Sequence, residues 1–202
     1  MAFLGKSRVL KSNGEWVRID SLSVGDGVQT YVSASGTNTD FGDERVNIGS
    51  LAASTITSID SSSLVSDFTD GNSRAGDREH GMYLFSGSNN SWTGSLMTSK
   101  TKVYTHKGFM SLDDAPDNIN YETPYLNSLE SGSYSSNDGW HTVRDISFFA
   151  VNDEPFSELS ELAKTASLNE DQDIYFRPDT KLYKLTVADN DSYIVGQYIV
   201  HQ

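Results

Sequence analysis

The sequence predicts an all-β protein, and three observations carry that prediction. Val, Ile, Thr and Tyr dominate the regularly patterned stretches, and these residues suit a pleated, half-buried surface. The dipeptide Asn13-Gly14 sits between two β-type runs, a strong short-range signal for a hairpin. The chain also ends on strand-like residues at Ser192–Val200, where most domains carry a frayed tail.

From the front, residues 2–32 form a hairpin block: a strand, the Asn13-Gly14 turn, a second strand over Glu15–Ile19, then the phrase Ser21-Leu22-Ser23-Val24-Gly25-Asp26. Residues 33–77 are rich in Ser, Thr, Asn, Asp and Gly and read as long surface loops or hairpins, with strand fragments at Val46–Ile48 and Thr55–Ile59. His80–Phe85 reads as a buried strand and Ser86–Thr93 as a polar loop. Residues 95–112 read as a hairpin turning at His106-Lys107-Gly108, followed by an acidic turn at Asp113–Asp117. Residues 118–139 are a turn-rich connection, and Trp140–Val151 is a convincing internal strand. Ser157–Ala166 is the one good helix: Ser157 can cap it, and Leu159, Leu162 and Ala163 share a face. Two last strands, Leu182–Val187 and Ser192–Val200, flank the turn Asp189-Asn190-Asp191.

At 202 residues the chain is expected to form one domain with a real core. The formal charge of −13 argues against a nucleic-acid surface, which needs clustered Lys and Arg. The absence of cysteine excludes disulfides, thiolate nucleophiles and Cys-based zinc sites. Four scattered histidines make no metal-ligand spacing, so no metal and no cofactor are expected. No stretch is long and apolar enough to span a membrane, and the apolar run at the front is broken by Lys6 and Arg8, unlike a signal peptide. A cytoplasmic monomer is the expectation. There is no phosphate-binding glycine loop and no Gly-x-Ser-x-Gly nucleophile turn.

The chemistry lies at the two ends. His201-Gln202 sets a proton donor and acceptor beside a carboxamide that can attack its own backbone carbonyl. The ordered pair of end blocks resembles the Hint/intein family of self-splicing domains. The resemblance rests on Gly5, Val9, Gly14, Ile19, Leu22, Gly25, Asp26 and Val28 at the front, and on Tyr183, Leu185, Thr186, Val187, Tyr193, Val200 and His201 at the back. These blocks cover about a third of the chain.

The resemblance implies an all-β horseshoe with pseudo-two-fold hairpins, its two ends meeting at the centre. It implies one splicing domain over 1–202, with the amino-terminal blocks in 2–110, the carboxy-terminal part in 111–202 and no homing endonuclease domain. Its activity would be autocatalytic splicing, a single turnover through N–O acyl shift, transesterification and terminal Gln or Asn cyclisation. Its partners would be its own flanking segments, or the complementary half if the chain is a fused split domain, with a junction in Ser86–Thr93 or Asn118–Asn137.

Residue by residue, Ala2 stands at the position of the first nucleophile, where the family has Cys or Ser. Alanine cannot make the first acyl shift. Serine is the expected native residue under an inactivating change, with a natural variant that skips this step as the rival. A Thr-x-x-His block, whose side chains contact the amino-terminal scissile amide, falls on Thr98 and Thr101, so the histidine is missing. His106 follows five residues later and reads as a solvated turn histidine. In the last block Lys184 replaces an Asp and Asp191 replaces a His. Both are candidates for proton transfer, while Asp191 also reads as a plain turn residue. His201 is expected to hydrogen-bond or protonate the carboxy-terminal scissile peptide as the Gln202 amide attacks.

A non-catalytic β domain for binding or virus assembly is the alternative from another class, since the acidic, Ser/Gly/Asn-rich, cysteine-free composition suits it. A cleavage-only Hint domain is a third reading, which the His-Gln ending argues against. The distance between the two ends discriminates: splicing requires residue 2 and Gln202 to be close.

Overall fold

The computed structural model describes residues 2–38, 45–46, 48–63, 81–86, 95–98, 100–111, 122–124, 140–142, 145–150 and 181–202. The expected helix over Ser157–Ala166, the loop over 87–93, the acidic turn at 113–117 and most of the connection over 118–139 lie outside the described residues.

The strands are β1 (Phe3–Leu4), β2 (Arg8–Leu10), β3 (Trp16–Arg18), β4 (Gly27–Val32), β5 (Thr37–Asn38), β6 (Arg45–Val46), β7 (Ser50–Ser63), β8 (Gly81–Ser86) and β9 (Ser95–Thr98). They continue as β10 (Val103–Thr105), β11 (Gly108–Met110), β12 (Glu122–Pro124), β13 (Trp140–Thr142), β14 (Asp145–Ala150), β15 (Lys181–Val187), β16 (Ser192–Val195) and β17 (Tyr198–His201). Among the described residues the only helical element is a single 3-10 turn at Ile19–Ser21. The prediction of an all-β chain is met.

Two antiparallel sheets dominate. One runs β14-β8-β9-β1-β15-β7-β4 and the other β11-β10-β17-β16-β2-β3. Both ends of the chain occupy central places. β1 lies between β9 and β15, with Phe3 opposite Met97 on one side and Tyr183 on the other. β16 and β17 form a hairpin inserted between β2 and β10. A strand paired on both edges and covered on its faces needs apolar residues at nearly every position. Tyr193, Ile194 and Val195 on β16 and Tyr198, Ile199 and Val200 on β17 are accordingly all buried.

Several expected strands are broken where the chain passes from one sheet to the other. The first breaks at Gly5: β1 belongs to one sheet and β2 to the other. A Cβ at Gly5 would stand 2.8 Å from Asp20 Oδ2 and 3.1 Å from Tyr183 Cε2, so the bend is open only to glycine without rearrangement. Only 103–110 of the expected hairpin over 95–112 is one, because β9 pairs with β1 and β8 in the other sheet. Trp140–Val151 is likewise two strands, β13 and β14. Ser192–Val200 is a tight hairpin rather than one strand. Gly196 takes φ 60° in a two-residue loop, a geometry that matches the twist of the flanking strands. In the stretch read as loops, Thr55–Ile59 is the middle of the 14-residue β7, which pairs with β4 through its first half and β15 through its second.

Other expectations hold. Asn13-Gly14 turns the β2–β3 hairpin, with Gly14 at φ 86°. Gly25 takes φ 96° in the turn Ser23–Asp26, and Asp26 Oδ2 accepts the Ser23 N–H at 2.9 Å. The Asp26 carbonyl then accepts from Ile56 N at 2.9 Å, which ties the front block to β7. The main core gathers Phe3, Val9, Ile19, Met97, Leu185 and Tyr193 between the two sheets, with the Phe3 and Tyr193 rings edge to face at 6.2 Å.

Candidate active site

Ala2 is 2% exposed and sits at the end of β1 beside β9. Its N–H donates to Thr98 Oγ1 at 3.2 Å, and Thr98 N–H donates back to the Ala2 carbonyl at 3.4 Å. Beyond β9 the chain turns, and Thr101 N–H donates to the Thr98 carbonyl at 3.0 Å. That turn brings Thr101 Oγ1 to 3.1 Å from Thr98 Oγ1, with both side chains buried. The residue-2 amide nitrogen is therefore held by a relay of two neutral hydroxyls. Thr98 touches the amide as expected. Thr101, at the histidine position, touches Thr98 and stands one hydroxyl away from the amide. His106 is half-buried at the β10–β11 turn, not fully solvated.

The other end is built around Gln202. Its side-chain Oε1 accepts the Val187 N–H at 2.6 Å, and its Nε2 donates to Asp191 Oδ1 at 2.6 Å. Its backbone N–H donates to the Asp191 carbonyl at 2.9 Å. The carboxamide is thus gripped at both atoms. His201 Nδ1 lies 2.9 Å from the Gln202 backbone oxygen. That contact requires a proton on Nδ1, so the ring is either the Nδ1–H tautomer or the imidazolium. His201 is itself fixed: its N–H donates to the Lys102 carbonyl at 3.0 Å, and its ring meets Phe109 edge on at 5.1 Å.

Asp191 is exposed and lies on a turn, as a plain turn residue would, but the turn is pinned from several sides. Asn190 and Asp191 take φ 66° and 45°, a left-handed pair that Asn and Asp tolerate. Asp189 N–H donates to Ser54 Oγ at 3.0 Å, Asn190 Nδ2 to Thr30 Oγ1 at 3.0 Å, and Ser192 Oγ accepts from Tyr31 N at 3.0 Å. Below it, the buried Tyr193 hydroxyl accepts the Leu185 N–H at 3.3 Å. Burial drives the Tyr193 phenol well above its ordinary pKa, against the opposing effect of that bond.

The two clusters share one segment. Thr98 holds Ala2, Lys102 holds His201, and between them the Thr101 N–H closes a turn onto the Thr98 carbonyl. Residue 2, in one sheet, and His201, in the other, are therefore both tied to the segment Thr98–Lys102. The Gln202 side chain is hydrogen-bonded to Val187 and Asp191, not to Lys184. Lys184 is half-buried on β15 opposite Asp60 of β7. Sequence reasoning missed the Val187 N–H and the Lys102 carbonyl, because a backbone group leaves no trace in residue identity. Among the described residues no three His, Asp or Glu side chains gather as a metal site, and no helix is long and apolar enough to cross a membrane.

No family profile and no curated protein matches the chain in sequence. Solved structures do match in shape. A DnaB intein from Synechocystis sp. PCC 6803 aligns at TM-score 0.54 with 12% identity, covering 99% of this chain and 96% of that one. A bacterial intein-like domain from Clostridium thermocellum aligns at 0.53 with 13% identity over 100% and 98%. The DnaX mini intein from Spirulina platensis aligns at 0.52 with 13% identity over the whole of both chains. The chain has the intein, or Hint-domain, fold.

Proposed function

We propose that this chain is a protein-splicing domain that excises itself from a longer precursor and ligates the segments on either side. The observation that carries the reading is the shared segment Thr98–Lys102, which holds the residue-2 amide at one end and His201 at the other. A binding domain has no need to tie both of its ends to one short segment. The partners are the flanking segments themselves, or a complementary half if the domain is split in nature, and no cofactor enters.

In this reading the first step is attack by a residue-2 hydroxyl on the preceding carbonyl, which converts the amide to an ester. Thr98 holds the nitrogen that must leave, and Thr101 supports Thr98. Ala2 lacks the hydroxyl, so the chain is an arrested form of a domain whose native residue is serine. A downstream hydroxyl then takes the acyl group.

The last step is cyclisation of Gln202. Its Nε2 attacks its own backbone carbonyl carbon, closing a six-membered imide and expelling the downstream amine. Asp191 Oδ1, 2.6 Å from Nε2, takes the proton that Nε2 loses. The Val187 N–H at Oε1 stabilises the negative charge delocalised onto that oxygen. His201 Nδ1 polarises the carbonyl under attack, and the departing amine picks up a proton from the same polar cluster.

The test is the Ala2→Ser chain carrying short flanks, with Ser or Thr first downstream. Ligated flanks on a gel are the expected product. A precursor that persists with neither cleavage product overturns the reading.

A further inference from the structure

We propose that the Lys184 ammonium stabilises the oxyanion formed at the amino-terminal scissile carbonyl, a positioned cation where the resemblance implied a carboxylate. The inference rests on the splicing reading and deepens it.

Register carries the first half. β1 pairs antiparallel with β15 through Phe3 opposite Tyr183 and Leu4 opposite Leu182. Continued by one residue, that register sets Lys184 opposite Ala2. Opposed residues of an antiparallel pair put their side chains on the same face, with Cβ atoms about 4.5–5.5 Å apart. On the other side of β1, Ala2 exchanges hydrogen bonds with Thr98. Residue 2 therefore lies between the Thr98 hydroxyl on β9 and a lysine on β15.

Peptide geometry carries the second half. The Ala2 N–H points toward β9, where Thr98 Oγ1 accepts it. In a trans peptide the C=O of the bond entering a residue points opposite to that residue's N–H. The scissile carbonyl oxygen of a bond entering residue 2 therefore points away from β9 and toward β15, the strand that carries Lys184. A lysine on its flexible four-carbon stem can bring a compact cation to that oxygen. Lys184 is also available. It is half-buried, and the ion pairs seen among the described residues, Lys11–Asp26 and Arg18–Asp20, do not involve it. Asp60 faces it from β7, and no ion pair joins them.

The step balances without any co-reactant. The residue-2 hydroxyl oxygen bonds to the carbonyl carbon, the C=O electron pair moves onto oxygen beside the ammonium, and the C–N bond then breaks. The hydroxyl proton ends on the new α-amine, which Thr98 Oγ1 already contacts as an amide N–H. A donor aimed at the developing charge contributes about 10²–10³-fold in rate.

The experiment uses the flanked Ala2→Ser chain, and reads hydroxylamine cleavage of the amino-terminal ester separately from release of the carboxy-terminal flank. Lys184→Met is expected to slow hydroxylamine cleavage about 10²-fold. Lys184→Arg, which keeps a permanent charge, is expected to stay within about tenfold of the parent. Carboxy-terminal release, driven by Gln202 and Asp191, is expected unchanged in both, which also reports that they fold. Cleavage of Lys184→Met within threefold of the parent overturns the proposal, as does an Arg variant as slow as the Met variant. Amino-terminal silence with carboxy-terminal release in the lysine-bearing parent overturns it too. Silence at both ends in that parent overturns the splicing reading itself, and this proposal with it.

Discussion

Gln202 Nε2 lies 2.6 Å from Asp191 Oδ1, while the Val187 N–H holds the other atom of the same carboxamide at 2.6 Å. A side-chain amide is a poor nucleophile because its nitrogen lone pair is shared with the carbonyl. A carboxylate at the N–H and a donor at the oxygen both favour the form in which that lone pair is released. Asp191→Asn keeps the shape of the contact and removes its basicity. Release of a carboxy-terminal flank is expected to slow about 10²-fold, the usual scale of a general base, and mass spectrometry of the released flank checks it. An unchanged rate would reduce Asp191 to a turn residue.

The hydroxyl relay at the front makes a graded prediction. Thr98→Val removes the acceptor of the buried Ala2 N–H and leaves it without a partner, a loss of about 1–3 kcal/mol. Thr101→Val removes a hydroxyl that touches Thr98 and not the amide, so its effect should be smaller, about 1 kcal/mol. Urea unfolding of both variants in the Ala2 background measures this. In the Ala2→Ser background the same order should hold for hydroxylamine cleavage. Equal effects would show that Thr101 acts on the amide directly.

Alkaline pH should unfold the domain through its buried phenols. Tyr193 and Tyr198 both have pKa values raised above 10.0 by burial. A group that binds its proton more tightly when folded contributes stability that is fully present below its unfolded pKa of about 10 and is lost as pH rises beyond it. Stability is therefore expected to be flat near neutrality with respect to these groups and to fall steeply above pH 10. Tyr198→Phe should flatten that fall, because one ionisation is removed from the balance. Urea midpoints across pH 8–11.5 decide it, and an identical slope in the variant would show that Tyr198 ionises freely.

Much of this was legible in the residues for identifiable reasons. Gly25 and Asp26 form a turn that needs a positive φ and a capping carboxylate, so their identities are forced by backbone geometry. Thr98 and His201 stood out in the sequence because the end blocks put a hydroxyl and an imidazole there, and their side chains contact the Ala2 N–H and the Gln202 backbone oxygen. The sheet crossings were not legible. Nor was the hairpin over Ser192–Val200: it is apolar but for Ser192 and Gln197, and periodicity cannot distinguish one buried strand from two short ones joined at Gly196. Nor could composition show that the Ser/Thr-rich stretch at Ser50–Ser63 is a long strand, since its pairing partners lie at opposite ends of the chain. The Val187 clamp is a backbone group, and the place of Lys184 next to the β1 pairing follows only from the register of β15.

The clamp on Gln202 bears on why a glutamine stands there. Asparagine closes a five-membered ring, which favours faster cyclisation in free chains. The site is fitted to the longer side chain. Val187 N–H and Asp191 Oδ1 grip the carboxamide at both atoms while Asp191 O holds the backbone N–H. One methylene fewer draws the carboxamide back by more than the tolerance of a hydrogen bond, so an asparagine keeps at most one of the two side-chain contacts. Loss of a charge-assisted bond of this kind offsets the ring-size advantage. Gln202→Asn is accordingly expected to release the carboxy-terminal flank no faster than the parent. The measurement is the first-order release rate of the two chains at one pH. A rise of more than tenfold in the Asn chain would mean that ring closure, and not the clamp formed by Val187 and Asp191, governs the step.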